Sequence, residues 1–158
     1  MRTKEKLFGA AAMLAVLSGP AVAQETWTMT TVWPSSLELI EIDKKFVEVA
    51  TKLVGDKLKI EFYDGGTLVP PGEVFNAVQT GTIQAGGDWP GYWAGRDPAF
   101  SPLSTHISLF NAIDYANWIH GWGGADLYNE VYGRFGMVYL PYGITNNESG
   151  FRTNKPIR

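Results

Sequence analysis

The chain has 158 residues, of which 45% are apolar, 13% aromatic and 18% charged, with a formal charge of −3 at pH 7. That length suffices for one domain with a real core, and six Trp, seven Tyr and eight Phe are far too many for a disordered chain. The absence of cysteine excludes disulfide scaffolds, thiolate metal sites and thiol nucleophiles, and the acidic balance gives no field that attracts nucleic acid.

Residues 1–23 read as a secretory signal. Arg2, Lys4 and Lys6 precede an apolar run from Leu7 to Leu17, Gly19–Pro20 breaks it, and Ala21–Val22–Ala23 offers the small residues a signal peptidase needs. Cleavage is expected between Ala23 and Gln24, because the apolar run is too short to cross a hydrocarbon core of ~30 Å. Removing this segment takes away three cations and one carboxylate, so the charge moves from −3 to −5. No cysteine follows for lipid attachment, and a freely diffusing periplasmic product is expected.

Trp27 to Val32 is β-branched and aromatic, which predicts a first strand. Ser35 and Glu38 have the spacing of a capping box. Leu39, Ile42, Phe46, Val49, Ala50 and Leu53 then mark one face of a helix, with Glu41, Asp43, Lys44, Lys45 and Glu48 on the other and Gly55 as its stop. Leu58, Ile60 and Phe62 alternate with charged residues as a second strand. Pro70–Pro71 opens a short helix with Val74, Phe75, Ala77 and Val78 inside and Glu73 and Gln79 facing water. Gly81 ends it, and Thr82 to Ala85 is expected to be a third strand. Gly86 to Leu109 is irregular and aromatic-rich, as functional loops or compact surface loops are. Asn111 to His120 and Ala125 to Tyr132 read as helices, and Met137 to Leu140 as a strand. The order predicts an α/β fold with a parallel sheet flanked by helices.

No catalytic constellation emerges. His106 and His120 lack the spacing of a helical metal pair, and neither a nucleophile elbow nor a phosphate loop is present. Asp88, Asp97, Asp114 and Asp126 are scattered along the chain. Binding remains: Trp89, Tyr92 and Trp93 cluster after the third strand, where α/β folds take up small solutes, although each alone is an ordinary core residue. Arg152 offers a planar fork for a carboxylate.

The run from Phe62 to Gly86 (FYDGGTLVPPGEVFNAVQTGTIQAG) closely resembles the solute-binding proteins of tripartite ATP-independent periplasmic (TRAP) transporters, the DctP-like family. Tyr92 to Phe100 (YWAGRDPAF) is similar to the branch that takes oxo- and hydroxy-carboxylates, and Gly150 to Ile157 resembles the approach to the family's hinge. The resemblance implies a periplasmic-binding-protein-like (type II) architecture of two lobes. On it, residues 24–143 are the first lobe and 144–158 the start of the crossover, truncated before the second lobe is complete. It further implies capture of a small organic acid anion, no hydrolysis, and delivery to membrane permease subunits driven by an ion gradient. Tyr92 and Trp93 would line the first-lobe wall beside Trp89, with Trp33 at the cleft edge and Arg152 as a cationic contact. Glu148 matches a position for a polar ligand of substrate or metal. No cofactor is required, a sodium or calcium ion bridging the substrate carboxylate is compatible, and a homodimer belongs to the full-length form. Half of such a clamp is expected to bind poorly alone. A secreted carbohydrate-binding or carbohydrate-acting module is the alternative, since aromatic platforms and carboxylates such as Asp88 and Asp97 serve it as well.

Overall fold

Three parallel strands make one sheet, in the order β2-β1-β3. The structure, a computed structural model, describes residues 24–104, 110–145 and 154–155. The expected signal at 1–23, His106, Glu148, Arg152 and most of the expected crossover lie outside the described residues. No helix among the described residues is long and apolar enough to cross a membrane.

The central strand β1 (Glu25–Thr31) pairs along its length with β2 (Leu58–Tyr63), Glu25 opposite Leu58 and Thr30 opposite Tyr63. On its other side, only its last three residues pair with β3 (Ala85–Gly87), Thr31 opposite Gly87. The predicted third strand, Thr82–Ala85, is therefore displaced toward the C-terminus. The cause is Gln84, whose backbone N–H donates to the Thr28 carbonyl while its side-chain oxygen accepts from the Thr28 N–H (2.9 Å). A side-chain amide occupies the place of one ladder step.

Helix α1 (Ile40–Val54) connects β1 to β2 and ends at Gly55, whose φ of +62° suits glycine. The expected capping box does not form. Leu39 is the N-cap without a side-chain cap, because backbone turns from Pro34 through Leu39 already accept from the first helical N–H groups. The buried face also differs from the expected one. Ile40 and Asp43 are almost fully buried, whereas Val49 and Leu53, expected inside, are exposed. The helix sets its Ile40–Asp43 side on the sheet and leaves Ile42, Phe46, Val49 and Leu53 along an open groove.

Helix α2 (Val74–Gln79) follows a Pro-initiated turn and buries Val74, Phe75 and Ala77, with Glu73 and Gln79 exposed as expected. Beyond β3, the irregular stretch contains a tight turn at Pro90–Trp93 and helix α3 (Phe100–Ser104). Helices α4 (Ala112–Gly121) and α5 (Gly124–Gly133) match their predicted positions within about one residue. The side chain of Asn111 caps α4 by accepting from the N–H groups of Ile113 and Asp114, each at 2.9 Å. Residues Met137 to Leu140, expected as a strand, belong to no strand. Instead the Asn129 amide of α5 accepts from the Tyr139 N–H (2.8 Å) and donates to the Tyr139 carbonyl (3.2 Å). One side chain thus satisfies both backbone groups that a neighbouring strand would have taken.

The core is aromatic. Phe75 touches Trp93, Phe100, Tyr132 and Phe135 with ring centroids 5.0 to 6.2 Å apart, and Val32, Val74, Ile119, Tyr128 and Val131 complete the buried cluster. Edge and tilted contacts of this kind exploit the ring quadrupoles.

Candidate functional site

The chain leaves β1 toward α1 and β2 on one side, then crosses back through α2 to place β3 on the other. β1 and β3 therefore flank the point where the strand order reverses, and the crevice outside their carboxyl ends is where open α/β sheets bind ligands. Two segments meet there. The first is Thr31–Val32–Trp33 after β1, held by the Val32 N–H donating to the Gly87 carbonyl (2.9 Å). The second is Asp88 to Trp93 after β3.

Three of the expected aromatics form one ladder at this end. Trp33 lies 5.9 Å from Tyr92, and Tyr92 lies 5.4 Å from Trp89. Trp89 and Tyr92 are 42% and 54% exposed and Trp33 is half-buried, so their faces are open to a solute. Gly91 permits this, because a Cβ there would collide with the Trp89 ring. Trp93 points the other way. It is 4% exposed, packs on Phe75, and donates its indole N–H to Asp88 Oδ2.

Beneath the ladder lies a buried acidic network that sequence reasoning missed. Asp43 accepts from the Thr31 hydroxyl (2.6 Å) and from the Tyr142 hydroxyl. Burial pushes its carboxyl above the usual range, with both hydrogen bonds opposing. Asp88 accepts from Trp93 and, at 3.5 Å, from Tyr132. Its pKa is pushed up to about 6, first by burial and further by the charge of Asp43. The phenols of Tyr132 and Tyr142 are pushed up as well, chiefly by burial. Gly87 leaves room for the network: a Cβ would sit 2.5 Å from Asp43 Oδ1 and 2.9 Å from the Tyr142 hydroxyl. The sequence carried one signal for Asp88, its place directly after a strand at the switch point. Asp43 carried none, since its spacing put it among the solvent-facing charges of α1.

Asp97, paired with Asp88 in the carbohydrate alternative, is engaged elsewhere, accepting from the Ala99 N–H and from Arg134 (2.9 Å). Among the described residues no group of three or more acidic or histidine side chains could hold a metal ion, and no buried polar side-chain atom lacks a hydrogen bond. A pocket of about 320 Å³ opens between α4 and residues 139–144, lined by Tyr115, His120, Tyr139 and Tyr142.

Comparison with known proteins places this geometry. The chain is 29% identical over 132 residues to a monocarboxylate 2-oxoacid-binding periplasmic protein of a Nostoc species, covering 84% of this chain and 36% of that protein. A TRAP periplasmic solute-binding protein from Rhodobacter sphaeroides, in an apo open structure, superposes with a TM-score of 0.66 at 25% identity, covering 71% of this chain and 36% of the other. A TRAP transporter solute-binding protein from Bordetella bronchiseptica gives a TM-score of 0.64 at 28% identity, over 71% of this chain and 34% of the other. That protein is a mixed-occupancy dimer with copurified calcium and picolinate in its active site. The chain thus spans about a third of the length of these relatives. Residues 29–158 match the model of the DctP family, and the chain belongs to this family of bacterial extracellular solute-binding proteins, family 7.

Proposed function

We propose that this chain is the first lobe of a periplasmic solute receptor that captures a small organic acid anion, an oxo- or hydroxy-monocarboxylate, for TRAP permease subunits. The observation that carries the reading is the exposed Trp33–Tyr92–Trp89 ladder at the switch point of the sheet. It is supported by the 2-oxoacid-binding relative and by the picolinate carried by the Bordetella protein. Residues 24–143 form the lobe, residues 144–158 begin the crossover, and residues 1–23 are the export signal. The reading needs no catalytic group: the protein binds and releases, and a homodimer belongs to the full-length form.

The chemistry divides between two faces. Aromatic faces desolvate the carbon skeleton of the solute and exclude water from its carboxylate, which strengthens every charge contact made there. The described floor of the crevice is acidic, so it supplies no counter-charge to an anion. The counter-charge falls to Arg152 and to a second lobe, and a sodium or calcium ion bridging the carboxylate would take its ligands from residues such as Glu148. Burial lifts the pKa of Asp88 to about 6, which lowers the cost of protonating it when an anion approaches. Trp93 acts through Asp88 rather than by touching the solute.

The 158-residue chain titrated with pyruvate and lactate by calorimetry is expected to bind no tighter than about millimolar, since one wall leaves most of the ligand in water. The same first lobe joined to a complete second lobe is expected to bind at micromolar levels. Trp89→Ala in that form should weaken binding about tenfold, as loss of one aromatic contact does. Absence of binding to any carboxylate by the two-lobed protein overturns the reading, and so does hydrolysis of a sugar.

A further inference from the structure

Two clasps hold residues 137–145, where the chain approaches the end of the first lobe, against the rest of that lobe. On one side Asn129 of α5 pairs with both backbone groups of Tyr139. On the other, the Tyr142 hydroxyl donates to the buried Asp43 carboxylate of α1, while the Tyr142 ring lies tilted against Phe46 with centroids 4.8 Å apart and Gly143 lies against Ile42. The second clasp differs in kind. The other oxygen of the same carboxylate accepts from the Thr31 hydroxyl (2.6 Å), which in turn accepts from the Trp33 N–H (3.3 Å). Gly87, at the end of β3, closes over the same atoms, with no room for a Cβ. One carboxylate therefore touches the end of β1, the end of β3 and the segment that leaves the lobe.

We propose that Asp43 is a positioning residue that couples the ligand-facing loop Thr31–Trp33 to the exit segment 137–145, so that the set of the aromatic wall and the take-off of the crossover move together. A shared acceptor achieves this because its two oxygens are rigidly joined: displacing Tyr142 reorients the group that holds Thr31, and through Thr31 the Trp33 backbone. Two separate acceptors would leave the segments independent. The burial of Asp43 and Thr31 makes the coupling stiff, since the other acceptor within reach of the Thr31 hydroxyl is the Gly87 carbonyl (3.2 Å), which belongs to the same cluster. The inference rests on the proposed reading of residues 144–158 as the start of the crossover, into which residues 137–143 of the first lobe lead.

The test reads each segment through a change made in the other, by hydrogen–deuterium exchange on the 158-residue chain without solute. Tyr142→Phe, which keeps the ring on Phe46, is expected to speed exchange at residues 31–33 roughly tenfold, the size of one lost buried hydrogen bond. Thr31→Val, which keeps the shape of the side chain, is expected to do the same at residues 139–145. In both variants the interior of α5 should exchange as in the parent. Change confined to the mutated segment overturns the coupling, as does no change, and so does an even loss of protection that includes α5. Because no solute is present, a failure to bind carboxylates leaves this result readable on its own.

Discussion

Asp43 and Asp88 show how much a single buried charge depends on its neighbours. Each is lifted above the ordinary aspartate range by burial, and each is held in place by hydroxyl or indole donors. For Asp88 the folded-state value is about 6, against 3.8 for a free side chain. The folded protein therefore binds this proton more tightly than the unfolded chain does. Its contribution to stability is complete below pH 3.8 and is lost as the pH rises through about 6. Asp88→Asn is neutral throughout and keeps an acceptor for Trp93. It is expected to shrink the fall in unfolding free energy between about pH 4 and pH 6 by roughly 2–3 kcal/mol. Urea titrations across that range check this, and a variant with an undiminished fall would refute the assignment.

At the scale of elements, local pattern and tertiary placement agree unevenly. Helix α4 lies within about one residue of its expected bounds, and Asn111, expected as its first residue, is its cap; Asn111→Ala is expected to cost about 1 kcal/mol in chemical denaturation. Helix α2 was equally readable, and Phe75→Ala should cost about 3–5 kcal/mol, since this ring touches four other aromatic rings. The face of α1 was misread. Its apolar spacing is real, but the side set against the sheet carries Ile40 and Asp43, and an aspartate reads as a surface residue until the hydroxyls that meet it are known. Met137–Leu140 was misread for a related reason. Its composition suits a strand, and an asparagine side chain stands where the partner strand was expected.

For the whole molecule, the consequential feature is apolar surface. Leu53 is 82% exposed, Val138 78% and Trp122 70%, and the groove along α1 continues to Ile144. The groove brings Ile42, Phe46, Val49, Leu53 and Ile144 together, and contiguous apolar surface favours association. The isolated chain is expected to sediment as concentration-dependent species heavier than 17.4 kDa. Leu53→Lys should reduce that association while changing unfolding free energy by less than about 0.5 kcal/mol, because the side chain packs on little. Sedimentation velocity over a concentration series decides it, and a strict monomer at all concentrations would count against the role of this face.

Composition, periodicity and the run from Phe62 to Gly86 were enough to indicate the α/β class, the order of the three paired strands with α1, α2, α4 and α5, and the resemblance to the family, but neither α3 nor the unpaired state of Met137–Leu140. Those properties depend on neighbours along the chain, where the physics of caps, turns and alternating faces is short-ranged. The cleft was only half visible that way. Its aromatics could be named because they cluster within a few residues, but which of them face a solute could not: Tyr92 and Trp89 look outward and Trp93 inward because of how the turn at Pro90–Trp93 sits on Phe75. The acidic floor was not visible at all. Thr31, Asp43, Gly87 and Tyr142 are scattered over 112 residues, and only packing of β1, α1, β3 and the exit segment brings them together, where burial alone changes what their charges do.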